Sequence, residues 1–173
     1  IDITNDDFEL NATVYDASGI ITLSPGLLNI PDDEIEAVIA HELGHIYHQH
    51  LYWKDVMNWA ATVIVLPIVF FVYWASARSY DICLSSIIAL VLGLFFHNTI
   101  MNFYTSQTEL AADQYAVSIL NSSFVFESLL KRLADTNLIL FDYPGFDEWF
   151  ILGYPSAKRR IDAILKNSAK TAQ

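Results

Sequence analysis

The chain has 173 residues, which is enough for one domain with a hydrophobic core and too few for two full-sized domains. Its net charge of −11 comes from 9 basic and 20 acidic residues and argues against nucleic acid as a partner. Cys83 is the single cysteine, which excludes an internal disulfide and a cysteine-rich zinc knuckle. Hydrophobic residues make up 54 % of the chain and charged residues 17 %, an apolar composition for a soluble domain.

The N-terminal residues 1–7 lack an initiator Met and resemble neither a signal peptide nor a transit peptide. We therefore expect residues 1–173 to form a single domain that is a fragment of a longer protein. Strand-like sequence from Leu10 to Leu23 flanks the turn sequence Asp16-Ala17-Ser18-Gly19 and predicts a β-hairpin. Leu27-Leu28 is expected to form a short helical turn.

A long helix is predicted to begin at Pro31, because proline followed by three acidic residues is typical of a helix N-terminus. Its apolar residues recur at spacings of three and four, which places one face on the core. They are Ile35, Val38, Ile39, Leu43 and Ile46.

The same helix carries His41-Glu42-Leu43-Gly44-His45. Residues four apart lie on one side of a helix, so His41 and His45 can bind one zinc ion. Glu42 then lies where it can take a proton from the attacking water. A chance HExxH match is expected in only about half a percent of chains of this composition.

Two runs of twenty uncharged residues follow, at 56–75 and 82–101, and each is long enough to cross a lipid bilayer. Aromatic residues gather near their ends, as in proteins with membrane-interface belts. The alternative is a buried helical hairpin inside a larger soluble protein. His97 lies near the end of the second run, where a hydrogen bond between helices is favoured over metal binding.

A catalytic zinc normally needs three protein ligands, so a third is required. His48 and His50 lie too far along the helix axis to complete a tetrahedron with His41 and His45, which favours surface or interfacial roles. Glu109 is the better candidate, and Asp113, four residues on, could accept a hydrogen bond from a ligand imidazole. The alternative for this acidic pair is a solvated helix face, but its neighbours are apolar.

Four segments in this order resemble the HtpX-like and CAAX-prenyl-protease group of membrane zinc metallopeptidases, of the gluzincin type. They are Asn11-Ala12 with the hairpin that follows, HELGH, the sequence from Ser106 to Ala116 after two apolar spans, and Pro155 to Ile161. The resemblance covers residues 11–165. It implies an α+β fold that is mainly α, with a small N-terminal β-hairpin and zincin-like helices between which a two-span transmembrane hairpin is inserted.

The same resemblance implies the roles of individual residues. His41, His45 and Glu109 would bind one Zn²⁺ per chain, Glu42 would be the general base, and Asp113 would orient a ligand. Arg160 would stabilise or orient the site, although a surface ion pair is its alternative role. Tyr154 replaces the histidine that the family has before its proline, and its phenol could donate to an oxyanion. Asn11 and Ala12 would bind an extended substrate along a strand edge.

We therefore predict a membrane-anchored zinc endopeptidase that acts on extended or unfolded polypeptides near the membrane surface, with protein quality control as its function. The basic residues near the spans, one on each side, do not distinguish the two orientations, and the resemblance favours a cytoplasmic active site. The alternatives are a non-catalytic zinc-binding membrane scaffold and a prenyl-protein processing protease. The sequence gives no indication of the oligomeric state.

Overall fold

The computed structural model describes residues 2–3, 10–15, 19–78 and 81–171, and the chain divides into two compact units. The first, the sheet-containing unit, comprises residues 1–51, 107–144 and 155–173. The second, the apolar unit, comprises residues 52–106 and 145–154.

The small sheet of the sheet-containing unit has the order β1-β3-β2. The predicted hairpin is confirmed, because β2 (Ala12–Tyr15) pairs antiparallel with β3 (Ile20–Leu23). Residues 16–18 of its predicted turn lie outside the described residues. A two-residue strand that the sequence did not predict, β1 (Asp2–Ile3), runs parallel to β3. Since β3 is central, β2 forms an edge of the described sheet.

Helix α1 (Asp32–Tyr47) begins where the sequence predicts, with Pro31 at its N-cap and three acidic residues in its first turn. A 3-10 turn, Pro25–Asn29, precedes it as expected. One residue of the predicted apolar stripe was placed wrongly, since Leu43 is 40 % exposed. This part of α1 makes its close contact at Gly44 instead, where the absence of a side chain allows tight packing.

Helices α2 (His50–Ser76) and α3 (Ile82–Leu120) contain the two predicted spans. Helix α1, which carries the motif, does not run straight into the first span. Gln49 has φ of 53°, a left-handed conformation that ends one helix before the next begins at His50. Helix α3 is continuous through 101–106, because no glycine or proline interrupts residues 94–120.

Three further helices complete the described chain. Helix α4 (Ser123–Thr136) ends at its C-cap Asn137, which is followed by Leu138 with a left-handed φ of 52°. The Asn137 side chain hydrogen-bonds both backbone groups of Leu10. Helix α5 (Gly145–Asp147) leads into a π-helical turn, Glu148–Leu152, and α6 (Ala157–Thr171) follows.

The core of the sheet-containing unit is formed by side chains from the sheet and from helices α1, α3, α4 and α6. Its fully buried members include Leu23, Leu27, Ala37, Ala116, Phe126, Leu129, Leu130 and Ile164. This core fixes the face of α1 that carries the motif.

In the apolar unit, α2 and α3 contact each other through small residues. Ser85, Ala89 and Gly93, spaced four apart on α3, are buried, and a methyl group at Gly93 would lie 2.4 Å from Val69. His97 continues this face and lies 3.4 Å from the Thr62 hydroxyl, which confirms its predicted hydrogen bond between helices. The opposite faces of both helices are exposed, and only 11 % and 17 % of their most apolar windows are buried.

Candidate metal centre

Three side chains from α1 and α3 meet inside the sheet-containing unit. His41 and His45 lie one turn apart, and their Nε2 atoms are 3.1 Å from each other. Glu109 of α3 places Oε2 3.5 Å from Nε2 of His41 and Oε1 3.5 Å from Nε2 of His45. Among the described residues, these three form the group whose ligand atoms are close enough to share one metal ion.

The spacing of these donors fits a tetrahedral zinc ion. Ligands at ~2.0–2.1 Å from zinc with tetrahedral angles lie about 3.3 Å apart, close to the 3.1 Å between the two imidazoles and to the 3.5 Å from each imidazole to its nearer Glu109 oxygen. Two imidazoles and one carboxylate are also a common donor set for a catalytic zinc, which leaves a fourth position for water or substrate. The residues present therefore fit zinc.

Gly44 explains how Glu109 can reach the histidines. A Cβ added at Gly44 would lie 3.0 Å from the Cα of Ala112 and 3.1 Å from its carbonyl oxygen. Any larger residue at position 44 would therefore separate the backbones of α1 and α3. The glycine inside HELGH brings the two ligand-bearing helices into contact.

Asp113 lies directly behind His41. Its Oδ1 is 2.9 Å from Nδ1 of His41, although the approach is off the line of the ring N–H. Arg160 of α6 binds the same carboxylate with both arms, Nε donating to Oδ2 at 2.8 Å and NH2 donating to Oδ1 at 2.6 Å. The carboxylate is 1 % exposed, so a buried charged chain runs from Arg160 through Asp113 to His41.

The charges of this network keep its acids ionised. Burial alone would raise the pKa of Glu109, but the hydrogen bond with His41 and the positive charges of His41 and Arg160 lower it to about 2. Burial likewise acts against the charge of Asp113, and the guanidinium of Arg160 outweighs it and lowers the pKa of Asp113 to about 2. Both carboxylates are thus available as anions to a ligand cation and to a ligand imidazole.

The two histidines respond differently to the same surroundings. Burial lowers the pKa of His41, but the hydrogen bonds with Asp113 and Glu109 raise it overall to about 9. Burial, assisted by the charge of His41, lowers the pKa of His45 to about 4. The nearby carboxylates therefore stabilise a single positive charge on the two histidines together, carried either by a proton or by a bound metal cation.

Glu42 has the properties of a general base. Its side chain is buried, with 9 % of its surface exposed. Burial raises the pKa of Glu42 above its ordinary value, and Glu109 raises it further, while His41 and Arg160 act in the opposite direction. A raised pKa brings a carboxylate closer to the value at which it can both accept and return a proton near neutral pH.

Three other predicted residues lie outside the cluster of ligands. Tyr154 belongs to the apolar unit, and 56 % of its surface is exposed. The backbone of Asn11 binds Ser24. The Asn11 N–H donates to the Ser24 Oγ, and the Asn11 carbonyl accepts from the Ser24 N–H. Ala12 is the first residue of the edge strand β2.

One contact near the site was not predicted from the sequence. His50, expected on the surface or at the interface, places its Nδ1 2.9 Å from Nδ1 of His45. Spacing along a single helix could not reveal this contact, because it depends on the break at Gln49. The run His48-Gln49-His50 directly after the motif was the only signal available.

The chain belongs to peptidase family M48, whose sequence profile matches residues 1–168. This match includes both compact units. It agrees with the family resemblance inferred from the motifs.

Two relatives show the extent of the similarity. A protease HtpX homologue of Helicobacter acinonychis is 26 % identical over 88 % of this chain and 55 % of its own length. A protease HtpX homologue of Bacteroides fragilis is 32 % identical over 75 % of this chain and 45 % of its own length. The chain thus spans about half the length of the curated relatives it matches.

The fold is also similar to a solved structure. The crystal structure of S. mikatae Ste24p matches 90 % of this chain and 42 % of its own chain with a TM-score of 0.68, at 21 % sequence identity. This likeness confirms the predicted fold class, mainly helical with a small N-terminal hairpin and two apolar helices.

Proposed function

We propose that the protein is a zinc-dependent endopeptidase anchored in a membrane by α2 and the first half of α3. The observation that carries this proposal is the triangle of side chains His41, His45 and Glu109. Its two imidazoles are 3.1 Å apart and each has one Glu109 oxygen at 3.5 Å, Oε2 beside His41 and Oε1 beside His45, close to the donor spacing around tetrahedral zinc. Membership of peptidase family M48 supports it.

Zinc bound there would act as a Lewis acid that polarises the scissile carbonyl and makes water more acidic. Glu42 removes the proton from the attacking water and delivers it to the leaving amine. Asp113, with Oδ1 2.9 Å from Nδ1 of His41, favours a proton on Nδ1 and so leaves Nε2 free to bind the metal. Arg160, with both arms on Asp113, acts as a positioning residue for this chain of contacts.

Arg160 or Tyr154 is assigned the stabilisation of the oxyanion. Arg160 Nη2 lies 3.9 Å from Glu109 Oε2, so its guanidinium is close to the proposed ligands. For Tyr154 the support is its phenol and its place in the family pattern. The variants Arg160→Lys and Tyr154→Phe would show which residue has this role, because replacing the residue that stabilises the oxyanion should lower kcat.

The edge strand offers a place for an extended substrate. Asn11 pairs with Ser24 on the inner side of β2, and backbone groups alternate along a strand. Ala12 therefore turns its N–H and carbonyl toward the outer edge, where a substrate strand could add to the sheet. Backbone pairing of this kind selects extended or unfolded polypeptides and makes few demands on side chains.

The membrane anchor rests on the length, composition and exposure of two helices. Both are long and apolar enough to cross a bilayer, and their mostly exposed faces are unlike the core helices of a soluble protein. We place the active site on the cytoplasmic side and propose protein quality control as its function. The relatives named protease HtpX homologue support the assignment as a protease.

The decisive experiment replaces Glu42 with Gln in the purified protein held in lipid nanodiscs. We expect the variant to keep one zinc per chain while its cleavage of a denatured protein falls by about 10²–10⁴-fold. Glu36→Gln, an exposed glutamate on the same helix, is the matched control and should cleave at the parent rate. If Glu42→Gln cleaved as fast as the parent, the mechanism would be wrong.

Two alternatives give different results in the same assay. A zinc-binding membrane scaffold would hold one zinc per chain and cleave nothing, even in the parent protein. A prenyl-protein processing protease would cleave a farnesylated peptide in preference to a denatured protein and to the same peptide without its lipid.

A further inference from the structure

We propose that His50 is a positioning residue that holds His45 in the ring orientation and tautomer needed to bind the metal. This inference rests on the proposed zinc site. The observation behind it is the contact between the Nδ1 atoms of the two rings at 2.9 Å, with ring centroids 4.9 Å apart and planes inclined at 76°.

The contact is produced by the break between α1 and α2. In an uninterrupted helix, a residue five positions on lies about 140° around the axis, so His50 would face away from His45. Here α1 ends at Tyr47, and the left-handed Gln49, with φ of 53°, redirects the chain. The first residue of α2 thus returns over the last turn of α1.

The proton on each ring follows from the metal chemistry. Because His45 points its Nε2 into the ligand triangle, its neutral ring carries the proton on Nδ1 and must donate it. Nδ1 of His50 is the acceptor, so the proton of His50 lies on Nε2. The carboxylate of Asp113 lies at the same distance, 2.9 Å, from Nδ1 of His41.

The two ligands therefore have partners of different charge. Asp113 is an anion balanced by Arg160, whereas the neutral ring of His50 accepts without adding a charge. A neutral acceptor leaves Glu109 as the anion in direct contact with the metal beside His45. We infer that His50 fixes ring geometry while Asp113 also contributes charge.

The test measures the zinc dissociation constant of the protein in nanodiscs by competition with a chromogenic chelator. His50→Ala should raise this constant by about 10–100-fold, as expected for the loss of a hydrogen bond to a ligand imidazole. His50→Asn, whose amide oxygen can occupy the acceptor position, should recover it to within a few-fold of the parent. His48→Ala is the matched control, since His48 stacks on His50 at 5.3 Å and should leave the constant unchanged.

Three results would overturn the inference. They are parent-like zinc binding by His50→Ala, failure of His50→Asn to bind better than His50→Ala, and a His48→Ala effect as large as that of His50→Ala. Each of these keeps the parent zinc site and refutes only the role of His50. A parent protein that binds no zinc would refute the proposed function itself.

A second inference comes from the apolar unit and is independent of the metal. We infer that the segment Gly145–Gly153 lies in the headgroup and acyl boundary of the bilayer. Two polar side chains one turn apart on α3 hold it: Asn102 donates to the carbonyl of Trp149 at 3.0 Å, and Ser106 donates to Glu148 at 3.3 Å. Gly153 permits this approach, because a Cβ there would lie 2.7 Å from Oδ1 of Asn102.

Aromatic contacts place this segment beside the membrane span. Phe150 stacks on Phe95 with centroids 5.4 Å apart and planes 4° from parallel. Phe95 lies six residues before the end of the predicted span at Met101, or ~9 Å along the helix. The segment thus contacts α3 from Phe95, inside the predicted span, to Ser106, just beyond its end.

The outward side chains of the segment suit a lipid partner. Large apolar groups on it are exposed by 42–65 %: Phe146, Trp149, Ile151 and Leu152. A short helical element with aromatic and aliphatic side chains, continuous with a span, is favoured at the membrane interface. The proposed occupant of this surface is therefore lipid.

Spin labels can test this placement in nanodiscs, using a Cys83→Ser background. A label at Ile151 should be more accessible to oxygen than to a water-soluble nickel complex, as should a label at Leu90 in the span. A label at Ile119, an exposed apolar residue on α3 of the sheet-containing unit, should show the reverse. An Ile151 label as accessible to nickel as the Ile119 label would overturn the inference, and a nickel-accessible Leu90 label would overturn the membrane anchor as well.

Discussion

The two units of this protein differ in the side chains that they bury and expose against the usual preference. The sheet-containing unit buries charge, with Glu34 and Asp113 3 % and 1 % exposed and each bound to an arginine. The apolar unit exposes hydrocarbon, with Trp59, Phe70 and Phe71 more than 60 % exposed. Buried charge requires partners, whereas exposed hydrocarbon requires a medium other than water.

This difference predicts which substitutions should destabilise each unit. A substitution in the sheet-containing unit should matter when it leaves a buried charge unpaired, even if its volume is unchanged. A substitution on the outer faces of the apolar unit should matter when it adds a charge, even though no protein contact is lost. The four substitutions below are ordered by expected effect.

Asp113→Asn should have the largest effect on folding. It keeps the shape of the side chain but removes the charge that balances Arg160, and breaking a buried ion pair in this way costs about 3–5 kcal/mol. The free energy of unfolding of the detergent-solubilised protein measures this loss. Asp162→Asn, an exposed acid on α6, is the control and should change it by less than about 0.5 kcal/mol.

Leu90→Arg should disturb the apolar unit by a comparable amount. Leu90 is 59 % exposed, and an arginine at the centre of a span costs ~2.5–3.5 kcal/mol by insertion measurements. The fraction of protein that resists alkaline extraction from membranes should therefore fall, while Leu90→Ala leaves it nearly unchanged. Equal extraction of Leu90→Arg and the parent would contradict a lipid-facing position.

Gly44→Ala should reduce stability and zinc binding together. The new methyl group would meet the backbone of Ala112 at 3.0–3.1 Å, and overpacking of this kind costs about 1–3 kcal/mol. Because α1 and α3 carry the ligands, their separation should also raise the zinc dissociation constant. A variant that lost stability but bound zinc like the parent would show that this close approach is structural only.

Glu34→Gln should have the smallest effect, and one that depends on pH. Burial raises the pKa of Glu34, but the hydrogen bonds from Arg132 and Ser128 and the charge of Arg132 lower it overall below 4.5. The stability that its ionised form contributes is therefore complete above about pH 4.5 and is lost as the pH falls through the folded pKa. The difference in melting temperature between parent and Glu34→Gln should narrow below pH 4.5.

An exposed ion pair provides the comparison for that measurement. Glu127 pairs with Lys131 one turn away, and both side chains are substantially exposed. Glu127→Gln should therefore change the melting temperature very little at any pH. A Glu127→Gln effect equal to that of Glu34→Gln would mean that burial does not distinguish the two pairs.

The local features of the fold could be predicted because each rests on nearby residues. The hairpin follows from alternation and a turn sequence, the start of α1 from Pro31 and three acids, and the spans from uncharged runs of twenty residues. The ligand set was predicted partly from helical spacing, which relates His41 to His45 and Glu109 to Asp113. The family pattern supplied the link between these two pairs.

Other features depended on backbone details that periodicity does not encode. The break between α1 and α2 lies at Gln49, which is left-handed although it is not a glycine, so no sequence signal marks it. The end of α4 lies at a left-handed Leu138, and its C-cap Asn137 binds Leu10, which is 127 residues away. The contacts of the segment Gly145–Gly153 with α3 are formed by residues more than forty positions apart, which local sequence patterns do not relate.

Residue types and helical spacing are enough to predict which donors lie on one face of a helix. From the sequence one can therefore predict a pair of imidazoles, a pair of carboxylates, a base between the imidazoles, and two helices suited to lipid. Tertiary structure alone decided which partner each group received. Arg160 reaches Asp113 and His50 reaches His45 only because packed helices and a left-handed turn bring them within hydrogen-bond distance.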